Sequence, residues 1–229
     1  MHNEKLEKVY RDLYQHAFSK IVNEEYSIDI NIENELDNRF GMTLLLRPSD
    51  AVKTNIQSFI DELKSIEPAQ YFYPNSDMHI TLLSIISCYE GFNLDTIDVE
   101  EYSKVIRKSL EAIEEFEIDF KGVTASESAI MIKGYPKNET LQAIRENLRA
   151  YFAKSNLQKS LDKRYLLITA HVTVVRFKKK LDDTMYFMNC IEKYREHDFG
   201  VSRIDTIHLV YNDWYQRKEK VRELMEFKI

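Results

Sequence analysis

Two short triplets carry the side chains that proton transfer needs: His79-Ile80-Thr81 in MHITLLSI and His171-Val172-Thr173 in AHVTVVRF. In an extended strand, residues i and i+2 share a face while the residue between them points the other way. Each triplet therefore sets an imidazole beside a hydroxyl and turns Ile80 or Val172 toward an apolar layer. In-line displacement at phosphorus needs one group to take a proton from the nucleophile and another to protonate the leaving oxygen. Imidazoles, which titrate at about 6.5, can fill both roles near neutral pH. Each threonine can donate to a non-bridging phosphate oxygen as negative charge accumulates there. The pair calls for no metal and no cofactor.

A zinc site built on His79 and His171 is the rival chemistry, but no third histidine, cysteine or acid recurs beside both triplets at ligand spacing. His208 in TIHLVY lacks a hydroxyl two residues on and reads as structural, as do His16 and His197. Tyr71, Phe72, Tyr73, Tyr135 and Tyr165 fall near predicted loop mouths and can pack in the core or stack on a nucleobase. Tyr135 is favoured as a substrate contact because it follows Gly134, where a bare backbone leaves room.

Net charge of -6 argues against a protein that coats long nucleic acid, which needs a broad cationic surface. A small anionic ligand fits better. Lys159, Lys163, Arg164, Arg176, Lys178, Lys179 and Lys180 gather around the second triplet, as a positive mouth or as a solvated edge. No apolar run is long enough to cross a bilayer, and the first residues lack a secretory apolar core. Cys88 and Cys190, the 2 cysteines, have no metal-type spacing and read as free thiols of a reducing cytoplasm.

The elements that must position the triplets follow from periodicity. Leu6, Val9, Tyr10, Leu13, Tyr14, Ala17 and Ile21 predict an amphipathic helix over residues 3–25, followed by a polar connection over 26–38. A strand over Met42 to Leu46 precedes a helix capped by Ser49 or Asp50. Asp98 and Glu101 suggest a capping pair for the next helix. Strands are expected over Phe116 to Phe120 and Ala129 to Lys133, the second ended by Gly134 and Pro136. Asn138 is placed to cap a helix carrying Leu141, Ile144, Leu148 and Phe152. After the second triplet come a helix over Asp183 to Tyr194 and strands over Ile204 to Tyr211 and Val221 to Phe227. With 5 glycines and 4 prolines there is no long flexible linker, so the order predicts one bilobal α+β domain.

The two triplets, their apolar flanks HITLLSI and HVTVVRF, and the segment PKNETLQAIRENL resemble the 2H phosphoesterases, which include RNA 2',5'-ligase-like proteins and cyclic nucleotide phosphodiesterases. The resemblance covers most of residues 39–229 and leaves 1–38 as an N-terminal helical extension. It implies two pseudo-symmetric antiparallel sheets with outer helices around a central groove. It also implies metal-independent cleavage of 2',3'-cyclic phosphates or of 2',5'- or 3',5'-linked nucleotide or RNA-end phosphodiesters. One of His79 and His171 would activate water while the other protonates the departing ribose oxygen, with Thr81 and Thr173 holding the phosphate. Arg176 stands where the family often has a ligand contact. Its odd offset from His171 puts it on the opposite face unless a bulge intervenes. RNA ligation and nucleotide binding without turnover remain open beside hydrolysis.

Overall fold

A computed structural model describes residues 2–163 and 166–229. The apolar stripe of the first segment folds as α1 (His2–Val22), which buries Leu6, Tyr10, Tyr14, Ala17 and Ile21. It packs mainly on β4 (Phe116–Ser126), and Tyr14, Ala17 and Ile21 join the apolar core of the rest of the chain. After β1 (Arg39–Leu46), Ser49 rather than Asp50 caps α2 (Asp50–Ile66), its hydroxyl accepting from the Val52 N–H at 3.4 Å. Burial of Val52, Ile56, Phe59, Ile60 and Leu63 along one stripe holds this helix down, each such side chain contributing about 1.5–3 kcal/mol.

The remaining elements are β2 (Tyr71–Phe72), β3 (Ile80–Glu90), α3 (Val99–Ser109), β5 (Ala129–Pro136), α4 (Thr140–Lys154), β6 (Val172–Arg176), α5 (Thr184–Lys193), β7 (Asp198–Ile204), β8 (Thr206–Asp213) and β9 (Arg222–Lys228). Several bounds differ from the periodicity. The β4 strand runs on to Ser126 because a bulge at Gly122, in a left-handed conformation, absorbs an irregularity without ending the pairing. The β5 strand continues through Gly134 to Pro136. Asp98 caps α3 alone, accepting from the Glu100 N–H at 3.0 Å, while Glu101 binds Lys104 instead of closing a box. Asn138 accepts from the Thr140 N–H at 3.1 Å, one residue ahead of the cap position at Glu139. Strands β2 and β7 are additional to the expected set.

All strand pairs are antiparallel, in the order β7-β4-β5-β6-β3-β1-β8-β9, with β2 beside β6. The expected two sheets are the halves β7-β4-β5-β6 and β3-β1-β8-β9 of one curled sheet. They meet through a single residue pair, Ile80 opposite Val172. These are the middle residues of the two triplets. An antiparallel register about that pair sets Thr81 toward His171 and His79 toward Thr173. The helices cross the seam: α2, which follows β1, packs on β7, and α4, which follows β5, packs against β3 and α3.

Candidate active site

His79, Thr81, His171 and Thr173 all line one open cavity of about 220 Å³, together with Arg176 and Tyr73. The scale suits a small ligand rather than a helical nucleic acid. The Nδ1 of His79 lies 2.7 Å from the Asp77 carbonyl oxygen. A carbonyl only accepts, so Nδ1 carries the proton and Nε2 is left with its lone pair in the neutral ring. The Nδ1 of His171 instead lies 2.8 Å from the Thr169 hydroxyl, which can donate or accept. Burial, and then the charges of Arg47 and Arg176, push His79 down to about 4. Burial pushes His171 to the same value, with His79, Arg145 and Arg176 opposing its charge. At those values both rings are neutral at pH 7, and an anion beside them would oppose the shift.

Arg176 reaches the cavity through a bulge. In the ladder with β5, Met131 pairs with Thr173 and Ile130 with Val175, so Val174 is the extra residue and Arg176 returns to the histidine face. The carbonyl of Val174 accepts from the Tyr73 N–H at 3.0 Å. Arg176 Nε donates to the Tyr73 hydroxyl at 2.9 Å, and its guanidinium lies 4.0 Å from Asp29 and 5.6 Å from the Tyr215 ring centre. Burial opposes the Arg176 charge, yet Tyr73 and Asp29 hold its pKa above the usual arginine value. The result is a fixed cation at the wall, suited to an anionic oxygen.

The first triplet has the same device. Leu44 pairs with Leu83 and Leu45 with Thr81, which leaves Leu82 as the extra residue. Ser84 thereby occupies the position that Arg176 occupies in the other half, and both line the cavity. A second irregularity, between Met42 and Thr43 of the partner strand, returns Ser87 to the same wall. The hydroxyls at 81, 84 and 87 recur at intervals that no regular strand shares, and that interval was the sequence signal for the bulges.

Tyr135 does not reach the cavity. Its hydroxyl bonds to Glu7 and its ring meets Tyr10 edge-on at 5.6 Å. The room expected beside Gly134 is taken by the Ala170 carbonyl oxygen, which would sit 2.0 Å from an added Cβ. Of the other aromatics, Tyr73 lines the cavity as the anchor of Arg176, and Tyr165 lies outside the described residues. Trp214, the 1 tryptophan of the chain and not anticipated from periodicity, also lines the cavity, with Arg39 4.8 Å over its ring. Among the described residues of the basic cluster, Arg176 and Lys163 line it; Lys178 and Lys180 pair with Glu33 and Glu24 at the surface, and Arg164 lies outside the described residues. His208 pairs with Glu223 and Glu226 on the β8–β9 hairpin and does not line the cavity. No helix among the described residues is long and apolar enough to cross a membrane.

Solved structures of the same fold include E. coli LigT with phosphate (9% identity, TM-score 0.55, covering 84% of this chain and 98% of that one). LigT has also been solved with 3'-AMP, ATP and NADP+. A protein of Thermus thermophilus matches at 13% identity and TM-score 0.56, over 82% of this chain and 97% of that one. A conserved protein of unknown function from Agrobacterium tumefaciens matches at 14% identity and TM-score 0.54, over 91% and 97%. No curated protein matches the chain. The family model of the 2'-5' RNA ligase superfamily matches residues 52–215, and with it both triplets: the chain belongs to that superfamily, the 2H phosphoesterases.

Proposed function

We propose that the chain is a metal-independent phosphodiesterase that opens 2',3'-cyclic phosphates or cleaves 2',5'- or 3',5'-linked nucleotide or RNA-end substrates. The observation that carries this reading is the meeting of both triplets about the Ile80–Val172 pair, on one cavity walled by Arg176. One of His79 and His171 takes a proton from water as its oxygen bonds to phosphorus, and the other, protonated, gives its proton to the departing ribose oxygen. Thr81, Thr173 and Arg176 hold the phosphate oxygens. The nucleotides and phosphate bound by LigT support a nucleotide ligand here. The thiols Cys88 and Cys190 support a reducing cytoplasm as its place of action.

The test is a screen of 2',3'-cyclic nucleotides and of 2',5'- and 3',5'-linked dinucleotides in the presence of a chelator, with the H79A/H171A double variant as blank. Turnover is expected, and each single alanine variant should lose about 100- to 10,000-fold in kcat. Joining of RNA ends in place of hydrolysis would assign the ligase reading, which the superfamily description favours as the second one. Uptake without turnover would make the chain a nucleotide-binding module, and loss of turnover in chelator would reject metal independence.

A further inference from the structure

Arg145 lies outside the cavity wall, on α4, and its side chain is buried to 1% exposure. Its guanidinium donates to the Leu82 carbonyl at 2.9 Å, the Thr81 carbonyl at 3.0 Å and the Thr169 carbonyl at 2.8 Å. Thr81 belongs to the first triplet, Leu82 is the bulged residue after it, and Thr169 is the residue whose hydroxyl holds His171. One planar fork thus grips both halves of the sheet at the seam, where the strands themselves share a single residue pair. A bulge leaves a ladder carbonyl without its strand partner. On the second triplet the Tyr73 N–H meets that carbonyl; on the first, Arg145 does.

We propose that Arg145 is a positioning residue of the two-histidine site: it fixes the separation of the triplets from behind and, bonded to the carbonyl of the residue whose hydroxyl holds His171, sets a buried positive charge behind that ring. This rests on the phosphodiesterase reading for its kinetic consequence, though not for its electrostatic one. The groups facing the two rings are Arg47 and Arg176 on His79, and Arg145, Arg176 and His79 itself on His171, with Asp162 and Lys163 on the cavity rim. Arg145 therefore acts on His171 and not equally on His79. A lysine at this place keeps the charge but presents a point rather than a fork, so it cannot reproduce three divergent bonds.

The experiment compares wild type, R145K, R145M and R145A. Side-chain NMR titration of the two imidazoles is run without substrate, and kcat and KM are measured on whichever phosphodiester wild type turns over. In R145M the His171 titration should move up while His79 moves less. In R145K, with the fold intact by circular dichroism, kcat should fall about 100-fold with KM within a few-fold, the scale of a 1 Å misplacement of a reacting group. Millimolar guanidinium, but not urea, should restore at least part of the R145A rate. An unshifted His171 in R145M, or wild-type kcat in folded R145K, overturns the proposal. Should R145M not fold, the R145K rate and the R145A rescue decide it. If wild type turns over nothing, the phosphodiesterase reading fails and the His171 titration still decides the electrostatic role.

Discussion

Replacing His79 and His171 together by glutamine should make the protein less sensitive to mild acid. Both imidazoles stand at about 4 in the folded chain against 6.5 unfolded. Above pH 6.5 neither state holds the proton and the shift contributes nothing to stability. Between 6.5 and 4 the unfolded chain takes up protons that the folded chain refuses, so stability falls as pH falls. From pH 7 to pH 5 this amounts to roughly 2 kcal/mol for each ring. Carboxylates held down by partners, such as Asp37 with Arg39 and Glu62 with Tyr194, lose their contribution at lower pH and do so in both proteins. The assay is urea unfolding at pH 7 and pH 5. The double variant should lose several kcal/mol less over that interval than wild type, whatever its stability at pH 7. An equal loss in both would mean that the rings titrate normally and that the cavity is wetter than its geometry implies. Adding inorganic phosphate at pH 5 should restore part of the wild-type loss, since the anion favours protonated rings.

R176M should weaken competition by inorganic phosphate about 10- to 100-fold, the worth of a charge-assisted bond, as measured by inhibition of turnover. Y10F should lower the unfolding free energy by about 1–3 kcal/mol in urea titration, because the hydroxyl donates to Gly134 and accepts from the buried Ala170 N–H at 3.0 Å. A neutral result would mean that water fills the gap.

What the chain disclosed of itself depended on periodicity. The triplets stood out because a period of two puts histidine and threonine together, and the stripes of α1 and α2 stood out because a period near four does the same for apolar residues. The bulges break that rule. Leu82 and Val174 each insert one residue, so the wall residues Ser84 and Arg176 fall out of phase with their histidines, and an offset argument puts them on the wrong face. Tyr135 failed for the converse reason: the open backbone at Gly134 was real, but it admits a neighbouring carbonyl and not a ligand. Arg145 lay in plain view at a core position between Leu141 and Leu148, where a charged residue usually signals an exposed face. Strand β2 escaped because two residues carry no period, and β7 because Gly200 interrupts its alternation.

The bond from Tyr10 to Ala170 links the first helix of the chain to the residue immediately ahead of His171. Asp29, in the segment that follows that helix, supports Arg176 and accepts from Tyr215 at 2.8 Å. The leading 38 residues thus act as scaffolding for cavity-wall residues far downstream. A shortened protein starting at Arg39 would keep every cavity-lining side chain and still lose the props beneath two of them, so trimming to the minimal core would yield a looser cavity rather than a compact equivalent.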